Sequence, residues 1–389
     1  MEAGSKKSRT FSKQHNKKSK AMNRPGGLSL STITASKNAG VDSASGLRAI
    51  PLRRLWLVAP ALCALAYPLL LSLLSYGLVL VHGSPSPNGP IIGVSVVASL
   101  ILAVAVMVIS FAVGLALGSP DIVDDPDVTR ARSIVHLAFA TPSLHVGFEN
   151  IAGVLQSPSG AVVTWLVFWA LLAMLTLIGP RSSPTVAMTA IAYHRLGIAH
   201  GFSAIAILLL FVGPHIVNHT TGFWSGSVHI AVMSVVRHVY RNDIVQPLLL
   251  ALIGFQILSG IVLVRRRMIM PGDFFGTVQT MCGVYIGVYF LAHMTAVFAA
   301  RYADVDTNWS WLTRPNDSLL VTLLKLRLIA HYWVGPIAIF AHVSCGLRWV
   351  LLQRDVLPAT ANRIALALIA VGVVTSSVIL LALFNVHIA

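Results

Sequence analysis

The chain has 389 residues, of which 56% are hydrophobic and 11% are charged, and its mean hydropathy is +0.78. Soluble domains carry roughly 25% charged residues, so this composition excludes an ordinary soluble enzyme. The net charge of +15 is concentrated near the N-terminus. Beside membrane spans, such a segment indicates a topological signal, and no nucleic-acid partner is expected.

Residues 1–54 hold twelve Lys and Arg against two acidic residues and show no apolar periodicity. This composition predicts a disordered basic tail that stays on the cytoplasmic side of the membrane. A cleaved secretory signal is not expected, because the first apolar run begins only near residue 55 and is too long for one. A bacterial inner membrane is the favoured location, and a mitochondrial membrane is the alternative.

Nine apolar runs are long enough to cross a bilayer core, which takes about 20 helical residues. The third is the most polar, because it carries His136, His145 and Glu149. Only helices satisfy their own backbone groups in such segments, so the predicted fold is an all-α, polytopic membrane helix bundle. The predicted spans are about 55–81, 91–118, 134–155, 161–180, 196–217, 245–264, 276–300, 326–350 and 364–387.

The distribution of basic residues supports the count of nine. With the N-terminus inside, the inner segments and the inner end of the eighth span hold 22 of the 28 Lys and Arg. That asymmetry follows the positive-inside rule. Removing the third span would invert every later span and place Arg265, Arg266 and Arg267 outside.

The chain divides near residue 185 into a four-helix N-terminal transmembrane region, 55–185, and a five-helix domain, 186–389. The four N-terminal spans are aliphatic and nearly free of polar groups, and the loop at 119–133 is acidic. A solvated turn explains this loop better than a divalent cation site does. Its aspartates are Asp121, Asp124, Asp125 and Asp127.

Two histidines in the second region have matched depth. His215 follows Arg195 by twenty residues, and His293 follows Asp273 by twenty. At 1.5 Å per residue, each lies about 30 Å along a helix that starts at the inner surface. Ionisable groups inside a membrane are costly and point to function, and imidazole is a common axial ligand of haem iron. The pair therefore predicts one haem b near the outer surface, while hydrogen-bonded core histidines are the alternative.

A second pair in the inner half is less complete. His342 lies twelve residues before Arg354, and Gln256 lies nine residues before Arg265 at comparable depth. An amide is a poor ligand for haem iron, so a second haem is doubtful on this pairing. His342 would bind alone or with another residue, of which His200 is the nearest candidate. A helix-packing contact is the alternative role for His200.

Cationic and histidine side chains surround the outer pair, and arginine binds carboxylates such as haem propionates in bidentate fashion. We name Arg237 and Arg301 as propionate-binding candidates. The segment 223–241 has apolar and basic faces and is predicted to lie along the membrane interface. The remaining members of the outer group are Arg241, Lys325, Arg327, His219, His229, His238 and His331.

Residues 194–388 resemble the five-helix cytochrome b anchor of succinate dehydrogenases and fumarate reductases. The resemblance rests on short motifs that occur in the family's order and spacing. They are HRLGIAH (194–200), GPHIVNH (213–219), GFQILSG (254–260), QTMCGVY (279–285), LAHMTAVF (291–298) and FAHVSCGLRW (340–349). A related domain occurs in a fungal mitochondrial family linked to lipid homeostasis, to which this chain could also be similar.

The resemblance implies a cytochrome b-like bundle with metal ligands at His215, His293 and His342. In the family, four histidines bind two haems, and the outer haem joins the helices that carry His215 and His293 here. The inner haem would join the positions of Gln256 and His342, so this chain departs from the family at Gln256. The four leading spans have no counterpart in the anchor.

The leading hypothesis is an electron-transfer subunit in the membrane, with a quinone and a flavin and iron–sulfur dehydrogenase as partners. No catalytic residue is identified, and no GxGxxG motif or ferredoxin-type cysteine set is present, so whether the chain is part of an enzyme stays open. The alternative is a non-catalytic membrane protein that uses the bundle for lipid homeostasis or scaffolding. A transporter is a third hypothesis with little support, because the sequence shows no pair of broken helices with buried carboxylates and Glu149 alone is weak evidence.

Overall fold

The computed structural model describes residues 52–83, 89–119, 126–178, 188–270, 272–313 and 323–388. Residues 1–51 of the predicted tail, and three of the four loop aspartates, lie outside these ranges. All elements within the ranges are helical. They are α1 (Leu52–Gly83), α2 (Gly89–Gly118), α3 (Pro126–Phe139), α4 (Thr141–Val154), α5 (Pro158–Ile178), α6 (Ala190–Ile207), a π-turn (Leu208–Val212), α7 (Gly213–Thr221), α8 (Gly226–Tyr240), α9 (Val245–Ile269), α10 (Phe274–Tyr302), α11 (Trp309–Thr313), α12 (Leu323–Gln353) and α13 (Pro358–Leu383).

Eight of the described helical segments are long and apolar enough to cross a membrane, as expected of a multi-pass integral membrane protein. They coincide with eight of the nine predicted spans, and α8 coincides with the predicted interfacial segment. The eight are Trp56–Val81, Pro90–Gly118, Ser159–Ile178, Ala190–Thr221, Val245–Ile269, Phe274–Tyr302, Leu326–Gln353 and Pro358–Leu383.

The predicted third span, 134–155, differs from the others because it is broken. It consists of α3 and α4, with 14 residues each, which meet at Ala140. Pro142 stands at the start of α4 and has no backbone N–H, so the hydrogen-bond ladder of α3 cannot continue through it. The first helix also begins at Pro126, inside the segment that the sequence predicts as a loop.

The broken helix makes polar contacts at two levels of the bundle. We call the end that carries the α9–α10 connection inner, and the end that carries α8 and α11 outer. At the inner end Arg132, which is 2% exposed, donates from Nε to the Leu117 carbonyl (2.7 Å) and from Nη1 to the Met268 carbonyl (3.1 Å). Toward the outer end the Asn150 amide donates to the Ala292 carbonyl, ten residues before the end of α10 (2.9 Å).

The N-terminal helices bury an apolar core around two tryptophans of α5. Trp165 and Trp169 are fully buried and pack with Tyr67 of α1 and with residues of α3. The indole N–H of Trp165 donates to the Ala64 carbonyl (3.0 Å), which satisfies its one polar atom. A second core lies between α10 and α12 and includes Phe139 and Ala140 at the break. The broken helix therefore contributes buried residues to both cores.

The C-terminal helices pack in pairs, and the most extensive packing is that of α12 against α13. α6 packs against α9, α10 packs against α12, and direct packing between the two pairs runs mainly through α9 and α10. Close approach within the second pair depends on glycine: a Cβ at Gly283 would lie 2.9 Å from the His342 ring. The histidines of the next section lie on both pairs, with His200 on α6, His293 on α10 and His342 on α12.

Candidate functional site

The outer site is built on an irregular turn of the sixth helix. The π-turn Leu208–Val212 separates α6 from α7, and the Gly213 N–H bonds to the Leu208 carbonyl five residues earlier. Pro214 follows and donates no backbone hydrogen bond, which favours such an irregularity. π-turns of this kind are frequent at functional sites. This one immediately precedes His215 and His219.

The structure brings His215 of α7 and His293 of α10 together, with ring centroids 6.0 Å apart. The His293 ring stacks on Tyr289 at 5.7 Å and 9°, and within the described ranges it has ring contacts but no hydrogen-bond partner. His215 Nε2 lies 3.2 Å from His219 Nε2, one helical turn away. The Nδ1 atoms of His215 and His219 are buried and have no hydrogen-bond partner in the described part of the chain.

The separation of the two rings indicates what they could bind. Imidazoles on opposite sides of one metal, with metal–nitrogen distances of about 2 Å, have centroids roughly 6.3 Å apart. Imidazoles at a tetrahedral angle would have centroids only about 5.1 Å apart. The observed 6.0 Å is nearer to the opposed arrangement. In addition, the described ranges contain no group of three or more His, Cys, Asp or Glu side chains placed to hold a metal ion.

Two cavities flank the pair, with volumes of about 170 Å³ and 50 Å³. Both imidazoles line both cavities, so the rings stand where the two spaces meet. A flat group held between the rings would extend into each cavity. The residues that line both are Phe211, His215, His219, His293, Leu312 and Tyr332.

Three arginines line the outer rim of the larger cavity. Arg237 donates to Asp306 Oδ1 (2.7 Å) and to the Thr307 carbonyl (2.6 Å), and Arg301 donates to Gln246 Oε1 (3.3 Å). The hydrogen bond from Arg237 holds the pKa of Asp306 below its usual value. Burial, with the nearby charges of Arg237 and Arg301, lowers the pKa of Arg241. A rim with this surplus of positive charge favours an anionic group.

Helix α8 lines the larger cavity and contributes His229, which is 2% exposed. Its ring lies 4.4 Å from Trp309 and its Nε2 lies 3.3 Å from the Asn218 amide nitrogen. Burial, followed by the charge of Arg237, lowers the pKa of His229 to about 4. This imidazole is therefore neutral at physiological pH and extends the row of rings formed by His293, His215 and His219.

Further members of the predicted outer group connect the site to α4. His331 Nδ1 lies 3.0 Å from Ser143 Oγ, and its ring lies 6.4 Å from that of His293. Arg327 donates to Glu149 Oε2 at 2.9 Å, and both groups are largely buried. The broken helix thus supports the wall of the site. By contrast, His238 is exposed on α8, and the side chain of Lys325 lies outside the described residues.

The inner candidates are arranged differently from the pairing that the resemblance implies. The ring facing His342 is that of His200, with centroids 6.4 Å apart. Gln256 instead turns to α6, where its amide donates to the His200 carbonyl and to Ser203 Oγ, both at 2.6 Å. The rings of His200 and His342 thus face each other, and Gln256 bonds to the backbone carbonyl of His200.

Sequence reasoning gave little weight to His219 and Tyr289, which contact the outer pair at ring separations of 4.6 Å and 5.7 Å. The i, i+4 spacing of His215 and His219 is visible in the sequence and places both on one helix face. The same spacing relates Tyr289 to His293. The contact of Glu149 with Arg327 has no comparable signal, because it joins residues 178 positions apart.

No family model matches this chain, and no curated protein or solved structure matches it either. What the site can bind therefore has to be inferred from its geometry and chemistry.

Proposed function

We propose that this chain is a membrane b-type cytochrome that carries electrons through one haem b held by His215 and His293. The haem, when bound, would supply a one-electron couple within the membrane. The chain would then act as an electron-transfer subunit, with a flavin and iron–sulfur dehydrogenase and a membrane quinone as partners.

The observation that carries this proposal is the separation of 6.0 Å between the two rings, with a cavity on each side of the pair. His293 fits the role of ligand without change, because its ring nitrogens have no hydrogen-bond partner in the described ranges. His215 would have to release His219 from Nε2. His219 could then accept or donate a proton within the buried row of rings.

The rim arginines would hold the propionates of the haem. Arg301 has only a long hydrogen bond to Gln246, so little has to be broken before it pairs with a carboxylate. Arg237 is already bound to Asp306 and would offer its remaining donors. The phenol ring of Tyr289, stacked on His293, would keep that imidazole from rotating.

The proposal includes a nine-span topology with the N-terminus inside. Support comes from the contacts of α3 with the inner ends of α2 and α9, and from the contacts of α4 with α10 and with the first turns of α12. A broken helix at membrane depth is tolerable where protein surrounds it, as it does here on several sides.

Absorbance spectroscopy of the purified full chain, produced with an adequate haem supply, tests the proposal. We expect a sharp α-band in the reduced-minus-oxidised spectrum, and we expect His215→Ala or His293→Ala to abolish the outer haem's contribution to it. His238→Ala, which removes an exposed histidine on α8, is the matched control and should leave the spectrum unchanged. A wild-type protein that shows no haem absorbance would contradict the proposal.

A second candidate function is a non-catalytic role in lipid homeostasis, in which the outer cavity holds an anionic lipid. The observation that favours it is the composition of the cavity wall, where Leu249, Ile253 and Val297 lie below the rim arginines. An acyl chain and an anionic headgroup would suit such a wall. Colourless protein that retains a stoichiometric anionic lipid after delipidation would support this function, and loss of that lipid in Arg301→Ala would locate it.

A further inference from the structure

The arginines at the inner end of the bundle differ in whether they have a partner. Arg348 is paired, because its Nη1 lies 2.9 Å from Asp273 Oδ2. The three consecutive arginines at residues 265–267, which end α9, have no carboxylate within 4 Å and no hydrogen-bond acceptor among the described residues. The positive-inside rule explains why these arginines lie at this end, but it does not explain how they are oriented.

The middle arginine, Arg266, is held in one orientation by Tyr193 of α6. Its guanidinium carbon lies over the Tyr193 ring, 4.3 Å from the ring centroid. The Tyr193 hydroxyl donates to the Leu263 carbonyl (3.2 Å), which fixes the ring against the last turns of α9. A guanidinium stacked on an aromatic ring keeps its N–H donors in its own plane, where they suit bidentate binding of a phosphate. Arg266 therefore presents oriented donors for which the described residues supply no acceptor.

The start of α6 adds a second positive feature at the same place. This helix begins at Ala190, three residues before Tyr193, and Thr189 caps it by accepting from the Ala192 N–H (3.3 Å). The other N–H groups of a first helical turn, together with the positive end of the helix dipole, favour an anion. An anionic group beside Arg266 therefore meets favourable charge from both α6 and α9.

An apolar surface continues from this charged group toward the middle of the membrane. Gly197 lies one turn beyond Tyr193 on the same face of α6, and no heavy atom lies within 4 Å of a Cβ built on it. Nearby apolar side chains of α6 and α9 are exposed: Ile198 by 47%, Phe202 by 71% and Ile261 by 56%. A phospholipid matches both parts, because its phosphate suits the arginine donors and its acyl chains suit the apolar surface.

We infer that Arg266, held by Tyr193, binds the phosphodiester of an anionic phospholipid at the inner surface, with Arg265 and Arg267 contributing further positive charge. Attraction between last-turn arginines and the dipole of α9 accounts for their charge, but it does not account for the stacking on Tyr193. Basic sites between transmembrane helices on the inner side bind anionic lipid headgroups in this way. The site lies at the opposite end of the bundle from the cavity that Arg301 lines, and it does not depend on the proposed function.

Native mass spectrometry of the full chain, depleted of lipid in detergent and then titrated with one lipid, tests the inference. We expect phosphatidylglycerol to bind about tenfold more tightly than phosphatidylcholine, and Arg266→Gln to weaken its binding by about tenfold or more. Tyr193→Leu should weaken it about two- to fivefold, because the guanidinium loses its stacking partner, whereas Tyr193→Phe keeps the ring and should bind nearly as wild type. Arg363→Gln, which removes an exposed arginine of α13, is the matched control and should leave binding unchanged.

Three outcomes would overturn the inference. Equal affinity for the two lipids would show that the headgroup charge is not recognised, and equal losses in Arg266→Gln and Arg363→Gln would show attraction by net charge alone. Displacement of phosphatidylglycerol by millimolar inorganic phosphate would show that the site takes a free phosphate ion. Arg301→Ala should leave binding unchanged, and a loss in that variant would place the bound lipid in the outer cavity instead. All of these measurements can be made whether or not the protein contains haem.

Discussion

The N-terminal helices α1, α2 and α5 bury aliphatic and indole side chains, whereas α6, α9, α10 and α12 bury histidines, arginines and amides. In the first region the buried hydroxyl of Ser110 on α2 donates to a carbonyl of its own helix, the Trp165 indole bonds to α1, and the Trp169 indole has no hydrogen-bond partner among the described residues. In the second, polar atoms are satisfied across helices or face a cavity. On this basis we call α1, α2 and α5 the supporting region, and we call α6, α9, α10 and α12, which carry the candidate site residues, the working region.

The broken helix α3–α4 belongs to both regions. Its apolar residues pack in the tryptophan core, while Ser143, Glu149 and Asn150 contact α10 and α12. Interhelical hydrogen bonds contribute association energy in a bilayer, where the hydrophobic effect between helices is absent. The supporting region is therefore attached to the working one mainly through a single polar element.

The largest effect should follow a change in the supporting core. Trp165→Ala removes a side chain that is 1% exposed and should cost about 3–5 kcal/mol of stability. Thermal unfolding in detergent measures this, and Leu166→Ala on the exposed face of α5 is the matched control. The haem-to-protein ratio of the folded fraction should stay unchanged. Selective loss of haem from that fraction would show that the two regions are not separable.

An intermediate effect should follow a change at the attachment. Arg327→Met leaves Glu149 without its 2.9 Å partner and should cost about 2–3 kcal/mol, because a partly buried carboxylate loses its counter-charge. Adding Glu149→Gln should restore much of the stability, since no unpaired charge then remains. Arg354→Met, on the exposed inner end, serves as the control. If the double variant is no more stable than the single one, the ion pair is not the source of the effect.

The smallest effect is a pH dependence of the working region. His229 has a pKa of about 4 in the folded chain, below the value of about 6.5 for an unperturbed histidine. The unfolded chain therefore binds a proton first as the pH falls, and stability is lost between about pH 6.5 and 4. The loss at pH 6 should be below about 1 kcal/mol.

The unfolding midpoints of wild type and His229→Gln, compared at pH 7 and pH 6, isolate this contribution. The variant should lose less stability than wild type on acidification, because glutamine does not titrate in this range. His238→Gln, on the exposed face of the same helix, should behave as wild type. An equal pH dependence in all three proteins would rule out His229 as the source.

The membrane helices could be predicted from the sequence because long apolar runs determine them almost alone. Depth along a helix could also be counted, and that count brought His215 and His293 to the same level. The direction in which each side chain points around its helix axis could not be predicted, because it depends on helix packing and on local irregularities such as the π-turn. For this reason the sequence paired His342 with Gln256, whereas the ring that faces it in the structure is His200.

The break at Ala140 has a similar explanation. Pro142 marks a possible interruption in the sequence, but proline also occurs inside α1 and α12, which continue through it. Whether a proline interrupts a helix depends on how the neighbouring helices accommodate the lost hydrogen bond. The cross-chain partners of Arg132 and Glu149 likewise depend on tertiary packing.

The π-turn at Leu208–Val212 has a consequence for the angular register of the sixth span. Each α-helical residue advances about 100° around the axis. In an uninterrupted α-helix, His219 would point about 100° away from His200, whereas the one residue absorbed by the π-turn brings the two into nearly the same direction. The azimuth of the outer histidines is thus determined by a single inserted residue. A deletion of one residue between 208 and 212 would convert the π-turn into a regular α-helical turn, and His215 and His219 would keep nearly the same direction around the axis.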